Sequence, residues 1–350
     1  VNKKRAITKK NTLTSPWHKH GERDVPIQNL ENEIVEAYKA ELERLNDMLV
    51  TFYQQNQADG LVTYAKIARN GKLDMLLDHI RETVDNAFKA RARVIFQGLR
   101  AAEDAAYTDI LYQAERLAYA KAAALNKTNI LPMEARLRPA ESYGTSYNSE
   151  RFDAFWREGA DGLPAPSGEL RQAASNSEAS LVARIKAAAA GRGTGLAAWQ
   201  AILADELSKD AGRCLRVVYT QANRAINSAV HAAFRSDYAD RLLESMRAQG
   251  AEFCERWVHD EPKRPRSWHI AQLHGTVPDL DGYWWSTGTG RPLSAAYPGG
   301  FGEPEEDCYC RCYLGVCDPR EARGMSTPRG IVPVPGNYLE EKRKRAEAGA

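Results

Sequence analysis

Apolar side chains recur along the first third of the chain at three- and four-residue steps. From Asn29 onward Ile34, Val35, Tyr38, Leu42, Leu45 and Leu49 form one stripe, with Glu, Lys and Arg opposite. That period predicts an amphipathic helix. Asp59 and Gly60 predict a turn. A second run then carries Leu73, Leu76, Leu77, Ile80, Val84, Phe88, Ile95 and Leu99 and continues through an Ala-rich stretch, with Gly98 as an isolated weak point. Residues 31–127 therefore read as two or three long helices that pack on one another.

The period is lost over 128–175, where Pro132, Pro139, Pro164 and Pro166 fall among glycines. This stretch reads as an irregular connector, with one short helical turn around Phe152, Phe155 and Trp156. Helical spacing returns over 176–250. Ser177 is a candidate cap, and GRGTG at 191–195 reads as a helix–helix turn, since it lacks the Lys-Ser/Thr ending of a phosphate loop. One long helix is expected from Lys209 to Ala248, with Leu215, Val218, Ala222, Ile226, Ala229 and Ala233 on its packed face.

Beyond Gly250 four of the seven tryptophans, Trp257, Trp268, Trp284 and Trp285, crowd together among Gly and Pro. Residues 251–318 thus predict a compact module of short strands and loops, and 319–350 a polar, mobile tail with room for a short helix at its end. The fold class expected is mainly α, with long amphipathic helices followed by a small α+β C-terminal module rich in Trp, Gly and Cys.

Composition narrows the function classes. The 350 residues are 43% hydrophobic and 27% charged, which suits a globular chain and excludes a wholly disordered or collagen-like one. No apolar run approaches a membrane span, so no membrane association is expected. The basic start has no apolar segment behind it and does not read as a secretory signal. A net charge of +2 leaves nucleic-acid binding to local patches. The best patch is residues 1–30, read as a flexible basic tail in which Lys3, Lys4, Arg5, Lys9 and Lys10 are candidate contacts to DNA or to an acidic partner.

Four of the six cysteines lie within ten residues: Cys308, Cys310, Cys312 and Cys317. Cys214 and Cys254 stand apart in helix-like surroundings. In a reducing compartment such a cluster reads as buried thiols or a metal site before it reads as disulfides. On an extended strand Cys308, Cys310 and Cys312 share one face. That face fits a core-facing strand. It also fits a structural zinc site, with His269 or His274 as the fourth donor. No Gly-x-Ser-x-Gly or His-Glu-x-x-His motif is present. Glu303 and Glu305 form a Glu-x-Glu, read with their acidic neighbours as a solvated turn, and His259 beside Asp260 reads as a loop residue. The chain is not expected to be an enzyme.

Several ordered elements between about 176 and 316 resemble the phage Mu F-like head morphogenesis, or minor head, proteins of tailed bacteriophages. The elements are a helix reading VYTQANR at 218–224, Trp257, a loop from Asp260 to Arg266, His269, a turn ending in Gly275, Pro298-Gly299, and a closing Cys310, Arg311 and Cys312. Gln221 stands where that family commonly has an acid, and the step from His to Gly is one residue longer.

The resemblance implies a non-enzymatic minor capsid protein. Such a protein associates with the portal, and with scaffold or major capsid protein, inside the procapsid. It assists head morphogenesis, DNA packaging or DNA ejection. It resides in the host cytoplasm during assembly and then in the virion head, near packaged double-stranded DNA. The alternatives are a metal-dependent nuclease or ADP-ribosyltransferase-like enzyme, and a DNA-binding accessory protein acting through its tails.

Overall fold

A computed structural model describes residues 25–58, 61–68, 70–126, 149–159, 163–190, 195–247, 252–259, 266–308 and 310–349. The helices are α1 (Val25–Asn56), α2 (Tyr64–Ala68), α3 (Lys72–Asn126), α4 (Ser149–Glu158), α5 (Pro166–Ala190), α6 (Leu196–Ala233), α7 (Asp237–Arg247), α8 (Pro304–Asp307) and α9 (Tyr338–Gly349). The strands are β1 (Cys254–Val258), β2 (Thr276–Val277), β3 (Trp284–Ser286), β4 (Leu293–Ala295), β5 (Tyr313–Cys317), β6 (Gly324–Thr327) and β7 (Gly330–Val332). The chain is mainly α with a small α+β module at its C-terminal end. Among the described residues no helix is long and apolar enough to cross a membrane.

Helices α1, α3, α5 and α6 form a bundle. In α1 the buried positions Ile27, Leu30, Ile34, Tyr38, Leu45 and Leu49 follow the helical period, and Leu73, Leu76, Leu77, Ile80, Val84, Ile95 and Leu99 do so in α3. Three charged residues interrupt these stripes and meet inside. Arg91 of α3 ion-pairs with Glu41 of α1 and lies 3.8 Å from Asp210 of α6. Its guanidinium also sits 4.1 Å from the centre of the Tyr38 ring. Tyr38 and Ser177 donate to Asp210 at 2.7 and 2.6 Å. One buried network thus ties all four helices together. Burial pushes the Glu41 carboxyl up to about 7, against the pull of Arg91. Gly98 is a contact rather than a weak point, because a side chain there would collide with Leu30, 2.8 Å away.

Several expectations need correction. Residues 25–30, assigned to the basic tail, are the first turns of α1, and Ile27 and Leu30 are core residues. The connector holds two helices: α4 sets Phe152 and Trp156 edge-on against Phe96 of α3, and α5 starts at Pro166. Pro fits there because a first-turn residue has no intrahelical partner for its N–H. Ser177 does not cap a helix but lies buried within α5. The helix expected over 209–248 begins earlier, at Leu196, and breaks at 234–236 before α7. Cys254 is on a strand, not in helical surroundings. Residues 319–350 are no tail: they add β6, β7 and α9 to the module. Tyr338 is buried there and donates to the Pro278 carbonyl at 2.9 Å. Asp59, Gly60 and residues 1–24, including Lys3, Lys4, Arg5, Lys9 and Lys10, lie outside the described residues, as do 127–148.

The described residues of the module form three small sheets. Antiparallel β1 and β5 match Cys254 with Cys317, Trp257 with Leu314 and Val258 with Tyr313. β2 runs parallel to β6, which pairs antiparallel with β7, and β3 pairs antiparallel with β4. The second half of α6 supports this module. From Val218 to Val230 it is buried on every side, polar residues included.

Candidate metal centre

His269 opens a short π-helical turn, His269–Leu273, and is wholly buried. Its ring is held by three aromatic neighbours, with Trp257 at 6.0 Å, Trp268 at 6.2 Å and Phe301 at 6.2 Å between centroids. The Nδ1 atom faces two sulfurs, Cys312 Sγ at 3.4 Å and Cys310 Sγ at 3.7 Å. The three donor atoms lie within 4.8 Å of one another and can hold a metal ion. Two ligands on a tetrahedral zinc, with Zn–S of about 2.3 Å and Zn–N of about 2.0 Å, stand about 3.5 Å apart. Both N···S separations fit that edge.

Glu306 holds the far side of the His269 ring. Its Oε2 lies 2.5 Å from His269 Nε2 and accepts from Trp268 Nε1 at 3.1 Å, while Oε1 accepts from Ser286 at 2.9 Å. Burial opposes its charge, yet these hydrogen bonds hold the carboxyl below its ordinary value. His269 is likewise penalised by burial, but Cys310 and Glu306 prevail and raise it to about 9. A hydrogen bond from Cys312, helped by His269, holds the Cys310 thiol well below the usual thiol range, and burial keeps Cys312 well above it.

Local backbone explains which candidates meet. Cys308, Cys310 and Cys312 do not share a strand face. Cys308 caps the C-terminal end of α8 and is half-buried; the strand begins only at Tyr313. Cys308 is therefore not among the three, and its carbonyl accepts a hydrogen bond from Arg266. His274 is exposed, and its Nδ1 accepts the backbone N–H of His259 at 3.0 Å. The acidic run divides by helical geometry. Glu305 points outward and Glu303 pairs with Arg291, while Glu306 and Asp307 are buried rather than solvated.

The remaining motif residues build the frame. Trp257 lies against Trp284 and Phe301, and its carbonyl accepts the N–H of Gly275 at 2.8 Å. Gly275 has φ +78°, a left-handed conformation suited to glycine. Arg224 of α6 donates to the Gly299 carbonyl at 2.9 Å and reaches Asp307 at 3.3 Å. Asn227 donates to the Cys312 carbonyl at 3.2 Å and accepts from the Leu314 N–H at 2.9 Å. Arg311 is half-buried, and Asp260 lies outside the described residues.

Compared with known proteins, the chain matches no family model, no curated protein and no solved structure. The function therefore rests on the site itself. Gln221 illustrates how local that reading can be. It is buried and donates to Glu169 of α5 at 2.5 Å, so an acid at 221 would place two carboxylates in contact.

Glu306, Asn227 and His259 are the participants that sequence reasoning missed. His259 Nδ1 lies 3.3 Å from Cys312 Sγ. The signal for Asn227 was a polar residue four positions after Asn223, one turn further along the same helix. For Glu306 the four-residue helix α8 is too short for a sequence period to mark its inward face.

Proposed function

We propose that this chain is a minor head protein of a tailed bacteriophage whose C-terminal module is closed by a structural zinc ion. It joins the portal, and through it scaffold or major capsid protein, in procapsids within the host cytoplasm. It remains in the virion head and assists assembly, packaging or delivery of double-stranded DNA without catalysing a reaction.

One observation carries this reading. The motif elements behind the resemblance are spread over ninety-five residues but converge on a single centre. Arg224 braces it from α6, Trp257 and Gly275 frame it, and His269, Cys310 and Cys312 meet within it. A thioether-free His/Cys/Cys donor set at these separations favours zinc, whose structural sites take neutral imidazole and thiolate. The ion would link two stretches of chain that are short of regular structure.

The same trio, with Glu306 behind the ring, also resembles an activated cysteine nucleophile. Enclosure argues against that use. Cys310, His269 and Glu306 are 3%, 0% and 0% exposed, leaving no face for a substrate.

Quantitative mass spectrometry of DNA-filled particles and empty procapsids of the phage that encodes the chain tests the assembly role. A few copies in both, retained with the isolated portal, are expected; absence from both overturns it. Elemental analysis of the purified full chain is expected to give about one zinc per chain, lost in Cys310→Ser.

A further inference from the structure

His259 stands one residue beyond the end of β1, and Cys312 one residue before β5. The ladder pairs Val258 with Tyr313. One further step of the same antiparallel register sets His259 opposite Cys312. Cross-strand neighbours of this kind hold their Cβ atoms about 5 Å apart, close enough for both side chains to reach one ion.

The side chains use that proximity. His259 Nδ1 is 3.3 Å from Cys312 Sγ. This separation is of the same length as the two N···S contacts within the trio, 3.4 and 3.7 Å. All three match the edge of about 3.5 Å expected for a tetrahedral zinc. The trio alone supplies three donors, whereas a closed structural zinc takes four.

We propose that His259 is the fourth ligand, making the centre a Cys2His2 site of His259, His269, Cys310 and Cys312. This rests on the zinc reading above and goes beyond it. His259 lies beside Cys312 but outside the set of three donors that are all within 4.8 Å of one another, so binding as a fourth ligand requires its ring to swing towards His269 and Cys310. His274, the other histidine at hand, is committed elsewhere. Its Nδ1 accepts the N–H of His259, so it orients the backbone of the ligand instead of binding the ion. That backbone bond is a positioning contact of the kind that fixes ligands in metal sites.

The consequence is chemical. With four protein ligands no coordination position remains for water or substrate, so the ion is structural. With three, an open position would permit Lewis-acid chemistry.

X-ray absorption at the zinc edge of the purified, zinc-loaded full chain reads this directly, because outer-shell scattering counts imidazoles. Two sulfurs and two imidazoles are expected, unchanged in His274→Ala and reduced to one imidazole in His259→Ala. Zinc affinity, measured against a competing chelator, is expected to fall about tenfold or more in His259→Ala. Should that variant fail to fold, the wild-type and His274→Ala spectra suffice. One imidazole in the wild type overturns the assignment while leaving zinc binding intact. Loss of an imidazole in His274→Ala overturns it in favour of His274. A full chain that takes up no zinc overturns both this assignment and the zinc reading on which it rests.

Discussion

Glu306 Oε2 lies 2.5 Å from Nε2 of His269, on the side of the ring away from the two sulfurs. The carboxylate therefore fixes which nitrogen faces Cys310 and Cys312. It also makes the ring a better donor. Glu306→Gln keeps the shape and the contacts to Trp268 and Ser286 but removes the charge. Zinc affinity is expected to fall about 10- to 100-fold with the secondary structure unchanged. Chelator competition alongside circular dichroism measures this, and an unaltered affinity would count against Glu306 acting through the His269 ring.

Asn227 joins the long helix to the start of β5 through both ends of its amide. Asn227→Ala leaves the buried Leu314 N–H and the Cys312 carbonyl without that partner. A loss of about 1–3 kcal/mol is expected, read as a lower urea midpoint for the tryptophan signal of the module.

Arg91 compensates two buried carboxylates at once. Arg91→Met is expected to cost about 3–5 kcal/mol, since Glu41 is left enclosed without its cation. Adding Glu41→Leu should recover part of that loss. A double variant whose loss equals the sum of the losses of Arg91→Met and Glu41→Leu would show that the pair is not coupled.

Acid should weaken the junction between α6, β1 and α9. Glu255 is buried, with Arg235 and Lys342 3.3 and 3.2 Å from Oε1 and His231 3.0 Å from Oε2. Burial would raise its pKa, but these neighbours hold it well below the usual carboxylate range. Burial lowers His231, so at neutral pH the charge facing Glu255 comes from Arg235 and Lys342. Both groups have depressed pKa values in the folded chain. The contribution of His231 is complete above its unfolded value of about 6.5, and that of Glu255 above about 4.3. Each is lost as pH falls from there towards its folded value. Urea midpoints should therefore decline from pH 7 towards pH 3.5, and Glu255→Gln should flatten the decline below about pH 5.

The helices were legible where one face alone meets the core, as in α1 and α3, because burial then follows the 3.6-residue period. They were illegible where the rule is broken for a reason outside the helix. Polar Asn223, Arg224 and Asn227 are buried because the module grips α6 from the side a sequence reader assigns to solvent. The break at 234–236 carries neither Gly nor Pro. Pro166 was read as a breaker though it starts a helix. At the metal centre, donor chemistry was enough to point to His269, Cys310 and Cys312. Leaving Cys308 and His274 out of that cluster, and setting His259 beside Cys312, needed the cap of α8 and the strand register, neither of which is local in sequence. The last thirty residues look like a tail because their anchors are few, chiefly Tyr338 and Leu339.

Helix α6 is one uninterrupted rod of 38 residues, about 57 Å long. Trp199 and Leu203 near its beginning sit in the bundle core, and Asn227 near its end holds the peptide of Cys312. The bundle and the metal module are therefore joined by a girder rather than a hinge. A load applied at the far end of the bundle would reach Cys312 along this helix and then through the single side chain of Asn227, with no loop in between to absorb it.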